Sequence, residues 1–380
     1  MLMSGLPQAM DHVPDEDCVA SAHLRVVILS DAESERNGVG AYYHDLVDLL
    51  KDDVAEIALF CPGAQGMSPG LRLPLPGDAT QNVWLPPLRA ISSAVREIQP
   101  DVIIVPTPGP YGLLGARLAK KHKARLVVGF HTHFEKIMDL YWSRWFGALT
   151  VGYFNLLNLY LFKRSELILA NSSDMVEIVR QRSQTPALLM GTPIPRRYLT
   201  KPRAEPTVGV NTVLYAGRLA AEKNVAAVIA AAHAMPEVQF QVAGDGPDRE
   251  RVEQAAAKLR NLRCLGWLSR DAMLDVLDAS DMLVLPSHIE SFGTIALEAM
   301  AREKLVLVSS RCGICAWPQL RRGLFEYSPG ECLSDGIRRV MAVDAGERDR
   351  VRRVAREGAE HITQWNLNNW LTILAGEAIE

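Results

Sequence analysis

Cysteine is scarce in this chain: six residues, Cys18, Cys61, Cys264, Cys312, Cys315 and Cys332, are scattered through 380. That usage excludes a disulfide framework. The first twenty residues hold Asp11, Asp15, Glu16 and Asp17 but no Lys or Arg, so the basic start of a secretory signal is missing. Together the two absences predict a cytoplasmic protein. A charge excess is missing as well, since 41 Lys+Arg against 44 Asp+Glu leave −3, too balanced for a protein that coats nucleic acid. With 27 Gly and 22 Pro, collagenous and low-complexity classes fall away. Long apolar runs are nearly absent. Residues 145–162 (WFGALTVGYFNLLNLYLF) are uncharged and touch the lower length bound of a membrane span, but Gly147, Gly152, Asn155 and Asn158 argue against spanning.

What the chain does have is alternation. Apolar runs of strand length at 24–29, 54–60, 101–105, 125–130 and 167–170 are separated by helix-period segments such as 41–50 and 111–121. The pattern restarts at 212–216, 238–243, 282–285 and 305–308. This predicts an α/β protein of two Rossmann-like, doubly wound parallel-sheet domains, with ligands in the cleft outside the carboxyl ends of the strands. The length also favours two domains, because single cores stop growing near roughly 250–300 residues. The predicted divisions are a polar leader (1–22), a first domain (23–190), a linker (191–206), a second domain (207–360) and a closing segment (361–380).

The densest chemistry lies in the second half. The strand TVLYA ends in Gly217-Arg218, and Ala220-Ala221-Glu222-Lys223-Asn224 opens the next helix. Two cations at a helix N-terminus suit a diphosphate, although solvated side chains on a loop would look the same. The run VAGDGP at 242–247 is by itself a turn signal. After DMLVLPS comes Glu290, then Phe292-Gly293-Thr294, then Glu298 about two helical turns on. Two carboxylates at that separation can accept hydrogen bonds from two sets of hydroxyls, as a sugar and a ribose would offer.

GRLxxEKN, AGDGP and PSxxESFGxxxLEAMA in this order resemble the donor half of the retaining glycosyltransferases of family 4, whose fold is the two-domain glycosyltransferase-B architecture. The first half is similar too: Asn37-Gly38-Val39-Gly40 follows the first strand, and VGFHTH carries His131. The resemblance implies that Arg218 and Lys223, at the strand end closed by Gly217, hold the donor diphosphate. It implies that Glu298 takes the ribose, and that Glu290 with the backbone of Phe292, Gly293 and Thr294 takes the transferred sugar and phosphate. Gly38 and Gly40 would let a loop close over the phosphates, and His131 would reach the sugar from the opposite domain. The closing segment with Trp365 would cross back to the first domain. Such enzymes retain anomeric configuration, with the leaving phosphate accepting the acceptor proton. Fixed cations and N–H dipoles facing a diphosphate that gains charge agree with that chemistry.

No metal or other cofactor is expected. The D-x-D pattern Asp15-Glu16-Asp17 lies in the leader, and Cys312-Gly313-Ile314-Cys315 has no second pair, which reads as two small residues in a loop. That loop, continuing to Ala316, departs from the family's Gly-Gly-x-Pro-Glu and leaves acceptor contacts open.

The acceptor side is marked by aromatic residues. Tyr141, Trp142, Trp145, Phe146, Tyr153, Phe154, Tyr160 and Phe162 are eight of the chain's 25 (7 Trp, 9 Tyr, 9 Phe) within 22 positions. Residues 90–190 hold 12 Lys+Arg against 7 Asp+Glu, a net of +5, whereas residues 1–89 hold 5 against 13, a net of −8. A basic cluster (Lys120, Lys121, Lys123, Arg125) beside this segment predicts peripheral contact with an anionic membrane, against the alternative of an internal helix. The expected function is therefore metal-independent transfer of a hexose from a UDP- or GDP-linked sugar to a membrane lipid at the cytosolic face. The alternatives are the same chemistry on a soluble acceptor and a non-catalytic nucleotide-sugar binder.

Overall fold

Pentapeptides such as RVVIL and LVLVS carry no polar alternation, so they belong in strands covered on both faces, as parallel sheets require. A computed structural model, describing residues 21–33, 38–63, 72–75, 78–131, 144–202, 209–328 and 330–377, places them so. The first sheet contains β1 (Arg25–Leu29), β2 (Glu56–Phe60), β5 (Val102–Val105), β6 (Arg125–Phe130), β7 (Leu167–Ala170) and β8 (Ala187–Leu189) in the order β2-β1-β5-β6-β7-β8. The second contains β9 (Thr212–Ala216), β10 (Gln239–Ala243), β11 (Leu262–Gly266), β12 (Met282–Leu285), β13 (Leu305–Ser309) and β14 (Phe325–Tyr327) in the order β11-β10-β9-β12-β13-β14. Every neighbouring pair in both sheets is parallel. The expected pair of Rossmann-like domains is thus present. Sequence reading passed over β8, β11 and β14, edge or near-edge strands of three to five residues, and the antiparallel hairpin β3 (Arg72–Leu75) with β4 (Asp78–Trp84).

Helices α2 (Leu88–Ile98), α3 (Pro110–His122), α4 (Arg144–Phe162) and α5 (Ser173–Arg182) cover one face of the first sheet. Helix α1 (Gly38–Leu50) covers the other together with the end of the last helix, Ala345–Ala375. That last helix is longer than the segment expected at 361–380. Its 31 residues hold no Pro, so nothing interrupts it, and Asp344 caps its N-terminus by accepting from the N–H groups of Gly346 and Glu347. Its middle packs against the second domain through Ile362, and Trp370, Ile373 and Leu374 pack against the first. Arg125 donates to the carbonyls of Ile373 and Leu374, satisfying the helix C-terminus.

The predicted linker contains a short helix, α6 (Arg196–Thr200), fixed to the second domain by Arg302. This guanidinium is wholly buried; it pairs with Asp278 and donates to the carbonyls of Tyr198, Lys201 and Pro202. The crossing between domains is therefore anchored from one side.

Candidate active site

In each sheet the chain runs to one side and then the other of a single strand, so the crevices open outside β1/β5 and β9/β12. The two crevices differ in what fills them. At β1/β5 the carboxylate of Asp31 accepts from the N–H groups of Gly109 (3.0 Å), Tyr111 (2.8 Å) and Gly112 (3.2 Å) and from Thr107 Oγ1 (2.8 Å). The anion-seeking start of α3 is thereby occupied by the protein's own carboxylate, whose pKa burial pushes up to about 6. At β9/β12 the helix α9 (Thr294–Ala301) starts behind Gly293 with no side-chain cap. Gly293 sits at φ 99°, a left-handed backbone that a side chain would strain, and its turn aims the first N–H groups of this helix into the crevice.

Lys223 is brought to that crevice by a clamp between the two loops. The N–H groups of His288 and Ile289 bond the carbonyl of Glu222, and Asn224 donates to the carbonyl of Pro286. As a result Lys223 Nζ lies 2.6 Å from Glu290 Oε2. Burial works against the ammonium, but the Glu290 carboxylate and its hydrogen bond outweigh it, so the Lys223 pKa stands above its ordinary value. Arg218, just past Gly217, reaches Glu222 at 3.4 Å. Sequence reading did not single out Glu222, the carboxylate beside this arginine.

The loop of Glu290 is held from behind by the CxxC segment. Gly313 N donates to the Glu290 carbonyl (2.9 Å) and Ile314 N to that of Phe292 (2.8 Å), while the Phe292 ring packs edge-on to Trp317. Burial pushes the Cys312 thiol well up and Cys315 to about 12, and the five described cysteines are free. Among the described residues no group of His, Cys, Asp and Glu could hold a metal ion.

His131, at the end of β6, faces this site across the cleft. Ser291 Oγ, next to Glu290, donates to its carbonyl at 3.4 Å, and its Nε2 lies 3.0 Å from the hydroxyl of Tyr43. Burial against Tyr42 and Tyr43 pushes the imidazole down to about 4, so it is neutral at physiological pH.

Glu298 is placed differently from its expected partner. It is buried in the first turns of α9 and bonded to Arg270 (2.8 Å), which also pairs with Asp45 of α1 in the other domain. Asp45 and Arg270 were not legible as site residues, because neither belongs to a motif and they are 225 positions apart. Gly38 and Gly40, read as part of a loop, form the first turn of α1.

The basic cluster on the first domain is altered too. Lys120, Lys121 and Lys123 are exposed, whereas Arg125 is engaged by the C-terminal helix and by Glu166. Of the aromatic segment, Tyr141 and Trp142 lie outside the described residues. Among those described, no helix is long and apolar enough to cross a membrane.

Two family profiles match the chain: "Glycosyltransferase Family 4" over residues 36–188 and "Glycosyl transferases group 1" over residues 200–357. A sulfoquinovosyl transferase of Arabidopsis thaliana is 24% identical over 301 residues, 71% of this chain and 55% of that protein. Glycogen synthase of Mycobacterium tuberculosis is 36% identical over 116 residues, 29% of this chain and 28% of that enzyme. The chain thus matches less than two thirds of either relative's length. Among solved structures, HepE of Anabaena in complex with UDP and glucose superposes with a TM-score of 0.68 at 16% identity, covering 94% of this chain and all of that one.

Proposed function

The chain belongs to the family-4-like glycosyltransferases of glycosyltransferase-B fold, and from that premise we propose that it transfers a hexose from a UDP- or GDP-linked sugar, with retention and without a metal, to a membrane lipid. One observation carries the reading: Lys223, Glu290 and the uncapped start of α9 converge at the β9/β12 crevice with His131 opposite. In this reading the diphosphate takes Lys223 and Arg218 and faces the N–H groups at 293–294. The sugar reaches Glu290 and His131. Charge that develops on the leaving diphosphate meets cations and dipoles already fixed in place, so neither a hydrolase-type carboxylate pair nor a metal is needed.

The lipid acceptor rests on α4. Tyr153, Leu156 and Tyr160 are exposed on one stripe, Leu156 to 66%, and the Arg164 guanidinium lies 3.7 Å over the Tyr160 ring. Helices α3 and α4 pack together and lead into adjacent parallel strands, so Lys120, Lys121 and Lys123 share one edge with Lys163 and Arg164. Apolar side chains beside clustered cations favour an anionic bilayer surface. A soluble glucan or sugar acceptor is the second reading, favoured by the similarity to glycogen synthase. Labelled UDP- and GDP-sugars offered with membranes or with soluble extract test both. Label in the lipid phase is expected, it should persist in EDTA, and the glycosidic product should keep the donor's anomeric configuration. Label in neither fraction would leave only a nucleotide-sugar binder.

A further inference from the structure

We propose that Tyr43 is a positioning residue that fixes His131 as the tautomer protonated on Nδ1, so that the imidazole presents a hydrogen-bond donor to the sugar and takes no proton from it. The role given to the sugar rests on the glycosyl-transfer reading; the tautomer does not. The Tyr43 hydroxyl lies 3.0 Å from His131 Nε2, which is its one hydrogen-bond partner among the described residues. Tyr43 is fully buried, and burial holds its phenol well above the ordinary pKa, so the hydroxyl keeps a proton that must be placed on an acceptor. His131 is neutral, and a neutral imidazole has one acceptor nitrogen and one N–H. With Nε2 accepting from Tyr43, the proton belongs to Nδ1, which has no partner among the described residues.

Two further features show that the contact is built in. Gly129 lies on the same face of β6 as His131, and a Cβ there would stand 2.5 Å from His131 Nε2 and 2.9 Å from the Tyr43 hydroxyl. Only glycine leaves room for this hydrogen bond, the close-approach use of glycine inside a strand. Behind Tyr43, Trp370 of the last helix packs edge-on to its ring and donates from Nε1 to the Tyr42 hydroxyl at 2.7 Å. The phenol, carried by α1, is thus backed by the C-terminal helix on the side away from the histidine's hydrogen bond.

The ¹⁵N spectrum of histidine side chains in the whole protein, with His131 assigned by its loss in His131→Gln, reads the tautomer directly. The wild type is expected to show a protonated Nδ1 and an acceptor-type Nε2. Tyr43→Phe keeps the ring packing and should lose this preference; Gly129→Ala should lose it with Tyr43 intact. In donor turnover, Tyr43→Phe should lower kcat roughly ten- to a hundred-fold while UDP binding is unchanged, because the nucleotide lies in the other domain. A wild-type proton on Nε2, or a Tyr43→Phe spectrum indistinguishable from wild type, overturns the proposal. Unchanged kcat in Tyr43→Phe with an altered spectrum overturns the catalytic role. The expected spectra in a protein that transfers no sugar would leave the tautomer standing and remove only the glycosyl-transfer reading.

Discussion

Lys223 is held 2.6 Å from the Glu290 carboxylate, and in the proposed reaction it would leave that ion pair for the more highly charged donor diphosphate. Lys223→Ala and Arg218→Ala should each cost on the order of 2–4 kcal/mol of transition-state stabilisation, read as the fall in kcat/KM. Glu290→Gln should lower turnover without weakening nucleoside diphosphate binding, since it releases Lys223 from its competing ion pair. Weaker binding measured by calorimetry would move Glu290 from the sugar to the nucleotide. His131 supplies a pH test. The unfolded chain protonates this ring near 6.5, and the folded one holds off until about 4. Its contribution to stability is therefore complete above about 6.5 and is lost as pH falls toward 4. Compared by thermal melts at pH 7 and pH 5, wild type should lose stability relative to His131→Gln; a gap that does not change with pH would contradict the neutral ring.

At the scale of elements, α4 has the most to explain. Its buried side, with Leu161 and Phe162, belongs to the first domain's core, whereas Tyr153, Leu156 and Tyr160 face outward. Replacing Leu156 and Tyr160 with Ser removes no core contact, so the variant should fold and still bind nucleotide. It should also leave anionic vesicles that retain the wild type, whose binding should weaken with salt. If wild type ignores vesicles of every composition, the soluble acceptor becomes the better reading. The same comparison of faces explains why the basic cluster shrinks: Arg125 starts β6 and meets the end of the C-terminal helix, so its charge is taken by carbonyls of residues about 250 positions away.

On the scale of the whole molecule, the two domains meet through Asp45, Arg270 and Glu298, two carboxylates sharing one guanidinium in a buried place. Burial pushes Asp45 up to about 7, with Arg270 opposing and Glu298 adding to the rise, and burial raises Glu298 as well. Opening the cleft would hydrate Asp45 and return it toward an ordinary carboxylate. An opened form would then release a proton that burial favours on Asp45 here, so lowering the pH toward the ordinary carboxylate range would favour the closed cleft. Small-angle scattering of the ligand-free protein should show a larger radius of gyration at pH 8 than at pH 5.5. Asp45→Asn should abolish the dependence. An unchanged pH effect in that variant would place the switch elsewhere. Glu298 also has to exchange Arg270 for ribose hydroxyls if it binds nucleotide as its motif implies, which would tie donor binding to the same contact.

The sequence by itself determined the two parallel sheets, because a strand buried on both faces must be apolar throughout and such runs stand out between helical periods. Although the meeting of Lys223 with Glu290, 67 positions apart, is tertiary, it also determined two groups of residues that each lie within a few positions of a strand end. Gly217, Arg218, Lys223, Glu290 and Gly293 are of this kind. What only the tertiary structure decided are the relations between distant segments: Tyr43 on His131, Asp45 on Arg270, Arg125 on the last helix and the CxxC loop behind Glu290. Each joins side chains or backbone of ordinary type whose meeting depends on how two elements pack, and nothing in local periodicity carries that information. Short edge strands escaped for a related reason: three to five residues paired on one side hold too little pattern to be read before the sheet exists.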